Sequence, residues 1–208
     1  LKKLPIIIGE SDPEGCAACS VRFNPQNAYR NGTMYSSYTA AVFARKWELA
    51  RATGVNLDAA LTWAFTFEDQ PLFAGFRQIA TGGIDLPVLN VFRMFSKMGG
   101  LRVTTSSTAK VPPATMLKEG VRGQPDVAAF ASREAGRVSV MAWHYHDDDV
   151  PGPEAAVQLA LEGIPSDVRE ATLTHYRIDD DHGNAYALWK KLGSPIAPSR
   201  PQYEALEA

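Results

Sequence analysis

Apolar residues follow one another without alternation at the start of the chain, over residues 4–8. A short run of this kind, rich in β-branched side chains, is typical of a parallel strand that is covered on both faces. Glu10 comes at the end of the run, and a polar loop with Gly and Pro follows over residues 11–15. Since (β/α) barrels carry their catalytic groups at the carboxyl ends of the strands, Glu10 is predicted to take part in chemistry. The alternative is a solvated side chain that begins a loop.

Helix and strand patterns alternate over the residues that follow. Residues 35–53 place apolar side chains at helical spacing and are followed by Gly54, a residue typical of helix termination. Residues 57–67 again predict a buried strand. Pro87 is predicted to be the first residue of a second helix, which the glycine pair at 99–100 ends. The order strand, helix, strand, helix indicates two β/α units of a parallel sheet.

Beyond Gly100 the pattern changes to short runs with a period of two. Three runs alternate in this way, at residues 138–143, 157–161 and 171–176. Such runs between Pro, Gly and Asp turns predict the antiparallel strands of a β-sandwich. A short helix is predicted over residues 184–192, before a Pro-rich end. We therefore place a domain boundary near Gly100, although strands on both sides of it can share one core.

Charge and composition narrow the range of partners. The formal net charge is only -2, so no basic field indicates nucleic acid or an anionic membrane surface. No apolar stretch approaches the roughly 20 residues that a membrane-spanning helix needs. The chain starts at Leu1, almost directly before a predicted core strand, which indicates a piece of a longer protein. The compartment therefore stays open.

Cys16 and Cys19 form a C-x-x-C motif shortly after the first predicted strand. In a thioredoxin-like context such a pair is a redox site at the start of a helix. Here residues 20–25 have no helical pattern, and two cysteines without a neighbouring His pair are too few for a zinc site. Incidental loop thiols or a local disulfide are therefore favoured over a redox or metal role.

Two clusters of acidic residues and histidines, at 144–149 and 179–182, suggest metal ligands at first sight. Neither cluster has the Asp-x-Asp-x-Asp-Gly spacing and distal Glu of a calcium loop. Both follow predicted strands, where Asp is common in turns, so we predict solvated turns and no metal site.

Several segments together resemble the family 39 glycoside hydrolases, which include β-xylosidases and α-L-iduronidases. Residues 5–13 resemble the strand-seven segment whose glutamate is the nucleophile. Residues 62–69 resemble the strand-eight segment, a Trp-x-Phe followed by paired acids, and residues 83–87 are similar to the Gly-Ile-x-Lys-Pro that comes later. Residues 175–186 resemble the last sandwich strand and turn of bacterial β-xylosidases.

This resemblance implies the C-terminal portion of a two-domain enzyme. Residues 1–100 would hold the last strands and helices of a (β/α)8 TIM barrel, namely strands seven and eight with their helices. Residues 101–208 would form an antiparallel β-sandwich with a C-terminal tail. The fold class expected from the resemblance is therefore α/β plus all-β.

The resemblance also assigns roles to individual residues. Glu10 would be the nucleophile of a retaining glycosidase, which needs a second carboxyl group about 5–5.5 Å away as general acid and base. In the family that second group lies in an Asn-Glu-Pro segment, and no such segment occurs in this chain. We expect it in a missing N-terminal barrel portion, so that the 208 residues alone would be inactive.

Four further residues are candidates for the pocket. Trp63 is predicted to form an apolar platform under a pyranose ring, the alternative being a core tryptophan. Glu68 and Asp69 are predicted to accept hydrogen bonds from sugar hydroxyls, the alternative being solvation in the predicted loop 68–86. Asp12 is predicted either to orient the loop beside Glu10 or to contact the substrate.

We therefore predict a retaining exo-glycosidase that acts on β-D-xylosides and small xylo-oligosaccharides without a metal or organic cofactor. An α-L-iduronidase-like activity is the first alternative, suggested by the Glu-x-Asp-Pro at residues 10–13. The acids rather than Lys or Arg near the second strand favour a neutral pentose over a uronate. A non-catalytic carbohydrate-binding β-sandwich is the second alternative. Aglycone preference and oligomeric state stay open, with a homo-oligomer among the alternatives.

Overall fold

The computed structural model describes residues 3–62 and 65–208, which form a mixed α/β architecture. In chain order the elements are β1 (Ile6–Ile8), a 3-10 helix (Pro25–Asn31), α1 (Thr33–Thr53), β2 (Leu57–Ala60), β3 (Ala80–Thr81), β4 (Ile84–Asp85), α2 (Pro87–Ser96), β5 (Leu101–Val103), α3 (Pro113–Glu119), β6 (Asp126–Glu134), β7 (Arg137–Tyr145), α4 (Ala185–Lys191) and α5 (Arg200–Glu207). The strands of the described residues form the parallel pair β1–β2, the antiparallel pair β3–β4 and the antiparallel sheet β5–β6–β7.

The first two strands pair in parallel, as the sequence predicts, with Ile7 opposite Ala59 and Ile8 opposite Ala60. Helix α1 connects them, because parallel strands need a crossover. The prediction that β1 is covered on both faces is wrong, since Ile6 is 39% and Ile7 59% exposed. In the described part of the chain β1 has a single strand neighbour, which leaves much of its surface uncovered. A closed barrel therefore stays a prediction.

The predicted helices α1 and α2 are confirmed. Helix α1 ends at Gly54, whose φ of +69° allows its N–H to reach the carbonyl of Ala50. Helix α2 starts at Pro87, where a missing N–H removes no hydrogen bond. It ends at Ser96, earlier than predicted. The predicted loop between β2 and α2 contains the short pair β3–β4, so it is more ordered than the sequence indicates.

The region after Gly100 confirms one of the three alternating runs as a strand. Strands β6 and β7 form a hairpin in which Glu134 pairs with Arg137 across a two-residue turn. Both turn residues, Ala135 and Gly136, have positive φ, the geometry of the tight turns that suit twisted hairpins.

The strands predicted at residues 157–161 and 171–176 are wrong, because residues 151–177 contain no strand and are exposed throughout. An alternating pattern makes a strand only where a second edge supplies backbone partners, and the described residues place none beside this segment. They form one three-stranded antiparallel sheet here rather than the two sheets of a sandwich.

Two apolar clusters form the core. The first packs residues of α1 and α2 against residues that follow Gly100, namely Ala40, Ala41, Ala44, Val91, Val111, Val121, Ala128, Met141, Trp143 and Tyr145. The second surrounds the loop before α2 and includes Tyr35, Phe73, Ile84, Leu86, Val88 and Leu206. The first cluster therefore crosses the boundary predicted at Gly100, and the division into two domains stays a prediction.

Two short helices lie near the C-terminus. Helix α4 confirms the helix predicted over residues 184–192, and the Asn184 side chain caps it by accepting the N–H of Ala187. Helix α5 was not predicted, although Ser199 and Gln202 form a capping box at its start. Leu206 on α5 is 4% exposed and packs into the second cluster. Among the described residues, every helix is too short or too polar to cross a lipid bilayer.

Candidate active site

Three carboxylates line the loop that follows β1. Glu10, Asp12 and Glu14 occur at every second position, and they differ sharply in exposure. The side chain of Glu10 is 49% exposed, that of Asp12 only 2%, and that of Glu14 32%. Glu10 is thus the most accessible of the three, directly beyond the carboxyl end of a parallel strand.

Arg77 forms ion pairs with two of these carboxylates, Glu10 and Asp12. Its side chain is 1% exposed, and its Nη1 lies 2.9 Å from Oε1 of Glu10 and 2.5 Å from Oδ2 of Asp12. Burial alone would lower the pKa of Arg77, but the hydrogen bond and charge of Asp12, and then the charges of Glu10 and Glu14, raise it. The backbone N–H of Arg77 donates to the carbonyl of Ala17 at 3.0 Å, which ties its loop to the loop after β1.

Asp12 accepts further hydrogen bonds from the scaffold. The hydroxyl of Tyr35 donates to Oδ1 of Asp12 at 2.8 Å, and the hydroxyl of Thr62 donates to the same oxygen. Burial, and then the charge of Asp12, raises the pKa of the Tyr35 hydroxyl well above its usual range. Of the two roles predicted for Asp12, the burial of its side chain favours orienting the loop over contacting a substrate.

A second buried arginine, Arg30, holds Glu14. Its side chain is 0% exposed and its Nη2 donates to Oε1 of Glu14, while the hydroxyl of Tyr29 donates to Oε2. Arg30 also donates to the carbonyls of Cys16 at 2.8 Å and Gly75 at 3.1 Å. It therefore connects the loop after β1 to the loop that carries Arg77.

Cys16 and Cys19 are joined by a disulfide. Of the interpretations left open by the C-x-x-C motif, the structure contains the local bridge. The carbonyls of both cysteines accept hydrogen bonds from Arg30, so the bridged turn belongs to the support of Glu14.

The other predicted site residues are less well placed. Trp63 lies outside the described residues. Glu68 and Asp69 are exposed on a turn, and within the described ranges neither takes part in the ion pairs around Glu10. Phe67, just before them, stacks on Phe76 at 4.3 Å between ring centroids, which links this segment to the loop of Arg77. A role of Glu68 and Asp69 in binding stays a prediction.

Sequence reasoning missed the two arginines. It expected acids rather than Lys or Arg near the second strand, whereas the structure places Arg30 and Arg77 against the carboxylates of the site. One signal for Arg77 was available, since it is the lone charge in the otherwise neutral residues 70–84. A charge in such a stretch indicates a buried, paired side chain. Arg30 carries no comparable signal.

The two acidic clusters form turns. Asp147 accepts the N–H of Val121 at 2.7 Å and the hydroxyl of Tyr145 at 2.8 Å. Asp179 accepts the N–H of Asp181 at 3.0 Å, and a ring nitrogen of His182 lies 2.8 Å from it. Across residues 3–62 and 65–208, no three His, Cys, Asp or Glu side chains group as metal ligands.

Comparisons with known proteins agree on one family. The profile of glycosyl hydrolases family 39 matches residues 1–208. A β-xylosidase of Geobacillus stearothermophilus is 22% identical over 191 residues, which cover 88% of this chain and 32% of the relative. The crystal structure of a monomeric β-xylosidase from Caulobacter crescentus superposes with a TM-score of 0.59 at 17% identity, covering 99% of this chain and 38% of that one.

The chain thus spans about a third of the length of both relatives. The likeness to the solved structure shows a shared fold, and the profile match over the whole chain confirms the resemblance carried by residues 5–13, 62–69, 83–87 and 175–186. The chain belongs to glycosyl hydrolases family 39.

Proposed function

We propose that this chain supplies the nucleophile, Glu10, of a retaining glycosidase that releases xylose from β-D-xylosides and xylo-oligosaccharides. The observation that carries the proposal is the position of Glu10, half-exposed and directly beyond the carboxyl end of β1 in a parallel pair. Membership of the family and the β-xylosidase names of two relatives support the substrate class.

The proposed reaction is a double displacement. The carboxylate of Glu10 attacks the anomeric carbon, and the bond from that carbon to the leaving oxygen breaks as a carboxylic acid protonates that oxygen. The same acid group, now a carboxylate, then takes a proton from water while the water oxygen attacks the anomeric carbon and releases Glu10. Each step moves only a glycosyl group and protons.

The general acid is assigned to a missing N-terminal barrel portion of the same polypeptide. Asp12 and Glu14 follow Glu10 on the same loop, but both are held in ion pairs with buried arginines. A general acid must instead carry a proton and present it to the leaving oxygen. The 208 residues alone would then have no turnover.

The charge of the site favours a neutral sugar over a uronate. Two buried cations, Arg30 and Arg77, face three carboxylates, Glu10, Asp12 and Glu14, which gives a formal balance of +2 and −3. A uronate carboxylate would meet an excess of negative charge here. Its recognition calls instead for a cation that is not already paired with carboxylates. The iduronidase-like alternative is therefore weaker than the xylosidase.

A fluorinated xyloside that traps the glycosyl-enzyme tests the proposal on the complete polypeptide. We expect one label per chain, mapped to the peptide that contains Glu10, and less labelling with the matched uronide. Glu10→Gln should lower kcat by at least about 10⁴-fold while sugar binding is retained. Glu134→Gln is the matched control, because Glu134 also pairs with an arginine and its side chain is 50% exposed.

Two results would contradict the proposal. A label on any other residue would move the nucleophile elsewhere. If Glu10→Gln left both sugar affinity and turnover unchanged, the chain would be a non-catalytic carbohydrate-binding module instead.

A further inference from the structure

Arg77 forms an ion pair with the carboxylate of Glu10. Nη1 of Arg77 lies 2.9 Å from Oε1 of Glu10. A fixed cation at this distance can hold the carboxylate of a retaining nucleophile in the orientation from which it attacks the anomeric carbon.

The arginine is itself immobilised. Its side chain is 1% exposed, Asp12 lies 2.5 Å from Nη1, and its backbone N–H is bound to the carbonyl of Ala17. Asp12 is fixed in turn by the hydroxyls of Tyr35 and Thr62. The cation that contacts Glu10 is therefore held, through Asp12, by α1 and by the residues that follow β2, and it is not a flexible surface side chain.

We propose that Arg77 is a positioning residue for the nucleophile: its ion pair holds the carboxylate of Glu10 in place for attack on the anomeric carbon. Asp12 has the complementary role, since it fixes Arg77 and offsets part of its charge. This inference rests on the proposed function of Glu10. It adds a residue from the loop before β3 that acts through Glu10 and not through contact with the sugar.

Other charged and titratable groups surround the pair and enter the same balance. Glu14 lies 4.0 Å from Nε of Arg77, and Arg30 neutralises Glu14 from the other side. The remaining groups interact with these carboxylates through hydrogen bonds or charge, namely Tyr29, Tyr35, Tyr38 and Lys46.

The test uses charge changes of opposite sign at Arg77, which pairs with Glu10, and at Asp12, which pairs with Arg77. Arg77→Met removes the cation beside Glu10. Asp12→Asn removes the negative charge of Asp12 and keeps nearly the same side-chain shape. An opposite charge within about 4–6 Å favours an ionised carboxyl group by about 1–3 pH units. Arg77→Met should therefore move the acid limb of the pH profile of kcat/KM upward by about one unit or more. Asp12→Asn should move it downward.

Three further variants sharpen the test on the complete polypeptide. The double variant, with Arg77→Met and Asp12→Asn together, should return the acid limb toward its original position. Arg77→Lys retains the charge but not the fork of donors, so it should restore the acid limb better than it restores kcat. Arg93→Met is the control, because Arg93 pairs with Asp85 at 2.5 Å on the surface of α2 with 52% of its side chain exposed. It should leave the pH profile unchanged.

The inference is overturned if Arg77→Met and Asp12→Asn shift the acid limb in the same direction or leave it in place. If Arg77→Met fails to fold, Asp12→Asn and Arg77→Lys decide the question by the same criterion. Trapping with the fluorinated xyloside separates this inference from the proposed function. A label that stays on Glu10 in these variants leaves the nucleophile assigned even where the role of Arg77 fails.

Discussion

Replacing Asp126 by Asn should destabilise the protein strongly, although the side chain changes by one atom. Asp126 is 0% exposed, at the start of β6. Its two oxygens lie 2.7 and 2.8 Å from Nη2 of Arg45 on α1. The indole N–H of Trp143 donates to Oδ2 at 2.8 Å, and the backbone N–H of Val111 donates to Oδ1 at 2.8 Å. Every one of these contacts delivers a donor to an acceptor-only carboxylate.

The amide introduced by this substitution would keep one acceptor oxygen and turn two donors toward existing donors. Removing one partner of a buried ion pair costs about 3–5 kcal/mol, because the other charge is left uncompensated. Here Arg45 has 8% of its side chain exposed and keeps only Glu48, at 2.9 Å, as an ion-pair partner among the described residues. At about 2–4 °C per kcal/mol for a chain of this size, the melting temperature should fall by about 6–20 °C.

Urea unfolding followed by tryptophan fluorescence measures this loss. Asp85→Asn is the control, because its ion pair with Arg93 is about half-exposed and should contribute less than about 1 kcal/mol. Arg45→Met should cost far less in the Asp126→Asn background than alone, since the two residues then no longer interact. If Asp126→Asn cost no more than the Asp85→Asn control, the buried ion pair would not be holding β6 to α1.

Two further predictions concern a lysine and a glycine. Burial lowers the pKa of Lys46 from 10.5 to about 8. Between these values the unfolded chain binds more protons than the folded one, so the free energy of unfolding should rise with pH from about 8 to about 10.5. Lys46→Met should remove that rise in urea titrations and add about 1–3 kcal/mol at pH 7, whereas Lys118→Met, at an 81% exposed side chain, should change neither. Gly75→Ala would press a Cβ against Val21 at a φ of +75° and should lower stability by about 2–4 kcal/mol, measured as a fall in melting temperature. Gly136→Ala shares the positive φ but has open space, so a loss as large as that of Gly75→Ala would contradict the clash.

Local signals predicted the elements whose stabilisation is local. Pro87 at the start of α2 and Gly54 at the end of α1 act through their own backbone geometry, and both are where the sequence places them. Residues 157–161 and 171–176 show the limit of this reasoning. Alternation there describes what a strand would bury, but a strand exists only if another edge lies beside it. That partner is not encoded in the run itself.

The candidate site divides in the same way. The position of Glu10 beyond the end of β1 could be predicted, because its place after an apolar run is a local property of the sequence. Arg77 and Arg30 could not, because their role depends on contacts between loops that are distant along the chain. The burial of Asp12 was equally hidden, since Tyr35 and Thr62 cover it from two other elements.

Helix α1 connects the candidate site to the sheet β5–β6–β7. Tyr35 near its start holds Asp12, and Arg45 holds Asp126 about 15 Å further along the helix, at a rise of about 1.5 Å per residue. The helix also contributes Ala40, Ala41 and Ala44 to the apolar cluster that contains Trp143. A separable carbohydrate-binding module would have to expose this cluster and leave Asp126 without Arg45, and both changes are costly. The sheet is therefore better understood as the support of the helix that orients Asp12, and through Asp12 and Arg77, the carboxylate of Glu10.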